Sequence, residues 1–207
     1  MSETTLVVCI LQEFSLELGF ELLIEPEYGY AGRIKTKRGK VLYFHGTHFD
    51  INPLGASEIA TDKTYASYFM SRLGYPTPEG KSFYSDEWCK KIRSKEDTVA
   101  ALRYANALGY PVIVKPNSRS QGQGVVKVFS DNELTHALRY IFKVLGDKVA
   151  LVQRVLEGYD FRIVVLGNEV LCAYRRIPLS VRGDGKSTIS QLLQKRQRSF
   201  IKKSSVS

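Results

Sequence analysis

Histidine and cysteine are both scarce in this chain, three of each among 207 residues. Cys9, Cys89 and Cys172 are odd in number, far apart and outside any CxxC spacing. They build neither a disulfide framework nor a thiolate metal motif, and they read as buried or unreactive thiols. His45 and His48 have Asp50 nearby, but a zinc site takes three or four ligands and no fourth candidate is evident. A hydrogen-bonded loop is the expectation there, and no metal-binding residue is assigned. So few histidines also leave no Ser-His-Asp or Cys-His arrangement for nucleophilic catalysis. No apolar run approaches the roughly 20 residues of a membrane span. The run Leu6-Val7-Val8-Cys9-Ile10-Leu11 follows Glu3, where a signal peptide would carry basic residues, so a cytoplasmic protein with no membrane partner is expected.

Acids are in deficit, 21 against 30 Lys and Arg, for a net charge of +9. A basic surplus gains affinity for nucleic acid by releasing phosphate counterions. Much of it lies in Gln194-Lys195-Arg196-Gln197-Arg198-Ser199-Phe200-Ile201-Lys202-Lys203, a stretch without an acid, which reads as a frayed, solvated terminus. The lone Trp88 reads as packing.

What is present is ordinary globular material, 43% hydrophobic and 25% charged. Helical spacing of Leu6, Val7, Ile10, Leu11, Phe14 and Leu18 predicts a helix over 4–19, capped by Thr4 and stopped by Gly19. Residues 33–36 and 40–44 flank Lys37-Arg38-Gly39 as a hairpin. A helix follows over 56–73, ending at Gly74-Tyr75-Pro76, with a turn at Thr77-Pro78-Glu79-Gly80. Ser94-Lys95-Glu96-Asp97 starts a helix that Gly109 stops. From there the order is strand (110–116), Ser- and Gly-rich loop, strand (125–129), helix (130–145) and strand (150–155). Two alternating strands, 161–166 and 169–176, meet at Gly167-Asn168. The expected domains are a short N-terminal α/β segment (1–55), a nucleotide-binding subdomain (56–150), and the start of a C-terminal subdomain with the basic tail (151–207).

Two segments invite a phosphate. GDGKST, residues 183–188, ends like a P-loop, but that motif needs a glycine at the position of Ser180 and a returning parallel strand for which the chain has no room. It reads instead as a turn before a helix capped by Ser187 or Thr188. The segment from Lys115 to Val125 fits better. Gly122 and Gly124 allow positive φ and leave the backbone bare, so that N–H groups and the Ser118 and Ser120 hydroxyls can close over an anion. Lys115 brings an ammonium to the same place, and each charge-assisted hydrogen bond is worth about 1.5–3 kcal/mol.

Several motifs stand in order: Ala60-Thr61-Asp62-Lys63, Gly74-Tyr75-Pro76-Thr77-Pro78, Val112-Ile113-Val114-Lys115-Pro116 with its Gly-x-Gly-Val loop, Leu151-Val152-Gln153-Arg154-Val155 and Gly158-Tyr159-Asp160-Phe161-Arg162. Together with Arg175-Arg176 and Gly183-Asp184-Gly185-Lys186-Ser187-Thr188-Ile189, they resemble the ATP-grasp superfamily. The likeness is to its cyanophycin synthetase and bifunctional glutathione synthetase group of carboxylate–amine ligases, and it covers roughly residues 50 to 195. The resemblance implies an α+β fold of antiparallel sheets with flanking helices, and ATP and Mg2+ as cofactors. It implies that Lys63 and Lys115 contact phosphates and that Ser118, Ser120, Gly122 and Gly124 belong to a mobile loop over them. Gln153, Arg154 and Val155 would hold adenine, Gln153 standing where glutamate is more usual. Glu157 or Asp160 would reach the ribose, and Arg162 and Arg176 would bind phosphate or the substrate carboxylate.

The family's magnesium ligands lie on later strands. After Arg176 the chain has Asp184 as its sole acid and no asparagine, so the C-terminal subdomain is expected to be incomplete. Two readings follow. In the first, the chain is a truncated relative of an ATP-dependent ligase for small carboxylate and amine substrates, completed by a homo-oligomer, a partner chain or an absent segment. In the second, it is a non-catalytic protein binding nucleotide, or RNA through its basic tail.

Overall fold

The computed structural model describes residues 5–204, which fall into two units divided between Val155 and Leu156. The first unit begins with helix α1, Leu6–Leu18. Thr4, the expected cap, lies outside the described residues; Thr5 Oγ1 accepts the Val8 N–H at 3.4 Å, and Gly19 ends the helix at φ 66°. Next comes an antiparallel sheet in chain order: β1 (Glu21–Ile24), β2 (Ala31–Lys35), β3 (Val41–His45) and β4 (His48–Phe49). The hairpin read from the sequence is β2–β3. His45 and His48 sit opposite each other across β3–β4 rather than in a loop.

The helix expected over 56–73 is two helices, α2 (Leu54–Thr61) and α3 (Lys63–Arg72). Asp62 breaks it. Its backbone is extended, at φ −86° and ψ 109°, and its carboxylate accepts the N–H groups of Thr64 and Tyr65 at 2.9 Å each. An aspartate that captures the first free amides of a turn favours a new helix start over continuation.

Strand β5 (Gly80–Tyr84) and helix α4 (Asp86–Ile92) carry no periodic pattern in the sequence. Then follow α5 (Thr98–Leu108), β6 (Val112–Pro116), β7 (Val126–Val128), α6 (Asp131–Arg139), a π-helical turn (Tyr140–Val144) and β8 (Val149–Arg154). The second sheet has the antiparallel order β5-β8-β6-β7. Its register separates two faces, because side chains alternate and directly paired residues share a side. One face carries Phe83, Ala150, Val152, Val112, Val114 and Val128. These pack with Ala101 and Ala105 of α5 and with Leu134, Leu138 and Ile141 from α6 and the π-helical turn, forming the core. Each fully buried Leu or Val there contributes about 1.5–3 kcal/mol. The other face carries Ser82, Leu151, Gln153, Ile113 and Lys115.

The second unit is a hairpin of β9 (Asp160–Leu166) and β10 (Glu169–Arg176), with a bulge between Val170 and Cys172, followed by α7 (Ile189–Ser204). The basic stretch read as a frayed terminus is therefore helical. A reciprocal cap starts it: Thr188 Oγ1 accepts the Gln191 N–H at 3.3 Å, and Gln191 Oε1 accepts the Thr188 N–H at 2.8 Å. Antiparallel sheets flanked by helices give the α+β class the sequence implied.

Candidate functional site

Lys115 sits near the end of β6, half-buried on the polar face of the second sheet, and no described residue offers its ammonium a hydrogen bond or ion pair. Burial, and secondly the charge of Lys63, push its pKa below the ordinary lysine value. Lys63 opens α3, and its Nζ donates to the carbonyls of Asn117 at 2.6 Å and Arg119 at 2.7 Å. Burial lowers its pKa too, against the opposing pull of Asp62 and Asp147. One ammonium thus holds the loop after β6, while the other has no counter-charge among the described residues.

Buried polar groups tie these parts together. Asn117 is 5% exposed. Its Nδ2 donates to Asp62 Oδ2 at 2.7 Å, and its Oδ1 accepts from the backbone N–H and the hydroxyl of Thr64 at 3.2 and 3.1 Å. Thr64 Oγ1 also shares a short hydrogen bond with Ser82 Oγ on β5. The start of α3 is therefore clamped to the end of the sheet, and Lys63 is aimed by that clamp. From the sequence Asp62 is visible only within its motif, and nothing in the spacing marks Thr64, Ser82 or Asn117. The aspartate before a helical run was the available signal.

The loop between β6 and β7 turns through positive φ at Gln121 (57°), Gly122 (75°) and Gly124 (71°). Its two glycines differ. A Cβ on Gly122 would meet nothing within 4 Å, whereas one on Gly124 would come within 2.8 Å of Leu145 Cδ1 and 2.9 Å of Pro116 Cγ. Gly122 leaves bare backbone; Gly124 lets the loop close against the protein. Ser118 Oγ donates to Asp147 Oδ1 at 3.4 Å, and Ser120 is exposed.

Gln153 shares the Lys115 face and is 7% exposed. Its side chain lies over Gly80, where a Cβ would stand 2.9 Å from Gln153 Cγ. Arg154 belongs to the opposite face. Its Nε and Nη2 reach Glu79 Oε2 at 3.1 and 2.8 Å, so the three expected adenine residues do not present their side chains together. Val155 is half-buried at the end of the unit.

In the second unit, the register puts Asp160, Arg162, Tyr174 and Arg176 on one side of the hairpin. Arg176 Nη1 stands 3.5 Å from Asp160 Oδ2, so two of the expected ligand contacts face each other. Arg162 lies opposite Tyr174 and has no ion pair among the described residues. Asp184 accepts the N–H groups of Lys186 and Ser187 at 2.9 and 2.7 Å, and the Ser187 hydroxyl at 2.8 Å. The amides of Ser187 and then Lys186 hold its carboxyl at about 2. GDGKST is a turn locked by its own aspartate.

The chain's relatives and solved neighbours bear out the ATP-grasp class that its motifs resemble. The crystal structure of a bifunctional glutathione synthetase from Pasteurella multocida matches 94% of this chain and 25% of that one, at TM-score 0.50 and 20% identity, and shows the fold. Residues 69–184, more than half of the chain, match the D-ala D-ala ligase C-terminus family, and the chain belongs to that family. The glutathione biosynthesis bifunctional protein GshAB of Enterococcus faecalis is 34% identical over 139 residues, 65% of this chain and 16% of that protein. Cyanophycin synthetase of Geminocystis herdmanii is 29% identical over 139 residues, 66% of this chain and 14% of that protein. The chain thus spans only a small part, 14% to 16%, of the length of these curated relatives.

Proposed function

We propose that the first unit binds ATP on the polar face of its second sheet, as the nucleotide-binding part of a ligase joining a small carboxylate to an amine. Ligation of one amino acid to another is what the family's name describes. The observation that carries the reading is Lys115: a half-buried ammonium, repelled by Lys63 and lacking a carboxylate, beside a loop whose glycine backbone is bare. An anion there satisfies groups that are otherwise unfavourably placed. In this reading Lys115 contacts phosphate, with Ser118, Ser120 and the Gly122 backbone closing over it, while Lys63 and Gly124 hold the loop in shape. Gln153 meets the base, for which its amide can donate and accept. Arg154 contributes main chain only. In the second unit, taken by itself, Arg162 is the free guanidinium for a substrate carboxylate, and Arg176 reaches such an anion by leaving Asp160.

The chemistry of the class is transfer of the γ-phosphoryl group from ATP to the carboxylate, which releases ADP, followed by attack of the amine on the acyl phosphate, which expels inorganic phosphate as the amine loses a proton. Magnesium would accompany ATP. Among the described residues no group of three or more His, Cys, Asp or Glu side chains could hold a metal ion, so they do not fit a protein-built magnesium cage. No step is assigned to it. Calorimetric titration of the chain with ATP, with and without magnesium, tests the reading. Binding in the wild type that Lys115→Met weakens at least tenfold supports it; equal affinity in the two folded proteins sinks it.

One observation favours a second reading, RNA binding through α7. Lys195, Arg196 and Arg198 stand on that helix, which carries no acid from Ile189 to Ser204. RNA binding that falls steeply with salt and survives Lys115→Met would put this reading first.

A further inference from the structure

Arg119 lies inside the loop between β6 and β7, and every nitrogen of its guanidinium is engaged. Nε bonds the carboxylate of Asp147, Nη2 bonds the Leu145 carbonyl, and Nη1 reaches Gln123 Oε1 at 3.1 Å. The side chain of Asp147 keeps 13% of its surface in water and that of Arg119 32%, so this is not a solvated surface pair. Asp147 is itself fixed: its N–H donates to the Ile141 carbonyl at 3.1 Å, just beyond the π-helical turn. From the other side, Lys63 Nζ holds the carbonyls of Asn117 and Arg119. The start of the loop is pinned between α3 and the segment after the π-helical turn.

We propose that the Arg119–Asp147 pair is a latch that sets the phosphate loop in its binding shape before a nucleotide arrives. Both are positioning residues, acting on ATP through the loop. The inference rests on the nucleotide reading above. A flexible loop must lose conformational freedom when it closes on a ligand, and a loop already pinned loses less. Asp147 separates this role from a purely electrostatic one. It is an acid close to Lys63 and to the loop, so neutralising it would by Coulomb's law alone tighten the binding of a triphosphate. The latch demands the opposite sign.

The test is amide hydrogen exchange of the full chain without nucleotide, paired with ATP titration, on the wild type, Asp147→Asn and Arg119→Lys. Asp147→Asn is expected to speed exchange across residues 118–125 about tenfold, leave β6 and β8 protected, and weaken ATP binding by a similar factor. Arg119→Lys keeps the charge but loses the planar fork, and falls between the two. Unchanged loop exchange in Asp147→Asn, or tighter ATP binding by it, overturns the latch. If the wild type binds no ATP while Asp147→Asn still loosens the loop, the nucleotide reading fails and overturns the latch's binding role with it, leaving the pair a clamp on the loop alone, whereas unchanged exchange in a protein that binds ATP sinks the latch by itself.

Discussion

Replacing Lys115 by methionine keeps most of the side chain's volume and removes its charge, and the structure calls for opposite effects on stability and binding. Without nucleotide, the charged form is disfavoured by burial and by Lys63, so the variant is the more stable protein. The group is only partly buried, so water screens the penalty, and about 1 kcal/mol is the expected gain. For a unit of this size that raises Tm by about 2–4 °C. With ATP the order reverses. Loss of one charge-assisted contact worth about 1.5–3 kcal/mol weakens binding by roughly 10- to 150-fold. At 100 times its Kd, ATP stabilises the wild type by about 2.7 kcal/mol, and at the same concentration it stabilises a variant weakened some 30-fold by under about 1 kcal/mol.

The pH dependence has a definite sign. The folded pKa of Lys115 lies below the ordinary 10.5, so the unfolded chain binds more protons between the two values and stability rises with pH across that window. The penalty is fully present below the folded pKa and vanishes as pH approaches 10.5, so the advantage of Lys115→Met shrinks as the solution becomes alkaline. Raised pKa values of Tyr84, Tyr104 and Cys89 act in both proteins and cancel in the difference. Thermal melts with and without ATP, from neutral pH upward, read all three effects. A variant that melts lower without ATP, or that keeps the full ATP shift, refutes the reasoning.

Other perturbations separate scaffold from site. Asn117→Ala leaves the start of α3 without its clamp and Thr64 Oγ1 with one partner fewer; denaturant titration should show a loss of about 2–3 kcal/mol. Gly80→Ala drives a methyl into Gln153 Cγ and the Val152 carbonyl, so a loss of about 1–3 kcal/mol is expected by the same assay, together with weaker ATP binding as Gln153 shifts. Leu138→Ala empties a fully buried position in the core and should cost about 2–5 kcal/mol with ATP affinity per folded molecule unchanged.

The helix-strand-loop-strand-helix-strand order from Thr98 to Arg154 is legible because its elements carry their own signals: the Asp97 cap and Gly109 stop of α5, the apolar run of β6 and the Ser130 cap of α6. Strand β5 is not, since Gly-Lys-Ser-Phe-Tyr has neither alternation nor β-branched residues and is a strand only because β8 pairs with it. The break at Asp62 was hidden for a different reason. Apolar periodicity runs across it, and the capping geometry that outweighs periodicity becomes visible only with Asn117 in place.

By itself, then, the sequence determined what depends on neighbours along the chain: helix ends, the glycines that allow a turn, the alternation of the β9–β10 hairpin, and a lysine at a strand end beside a glycine loop. Tertiary structure decided which of those groups remain free to act. Lys63 looked equivalent to Lys115 until carbonyls 54 and 56 residues away accepted its hydrogen bonds. Gly124 looked equivalent to Gly122 until Leu145 packed against it. Arg119 carried no signal at all until Asp147, 28 residues on, came within reach. Caps and turns are local and can be read from spacing, whereas whether a charge is satisfied depends on the partners that folding brings to it.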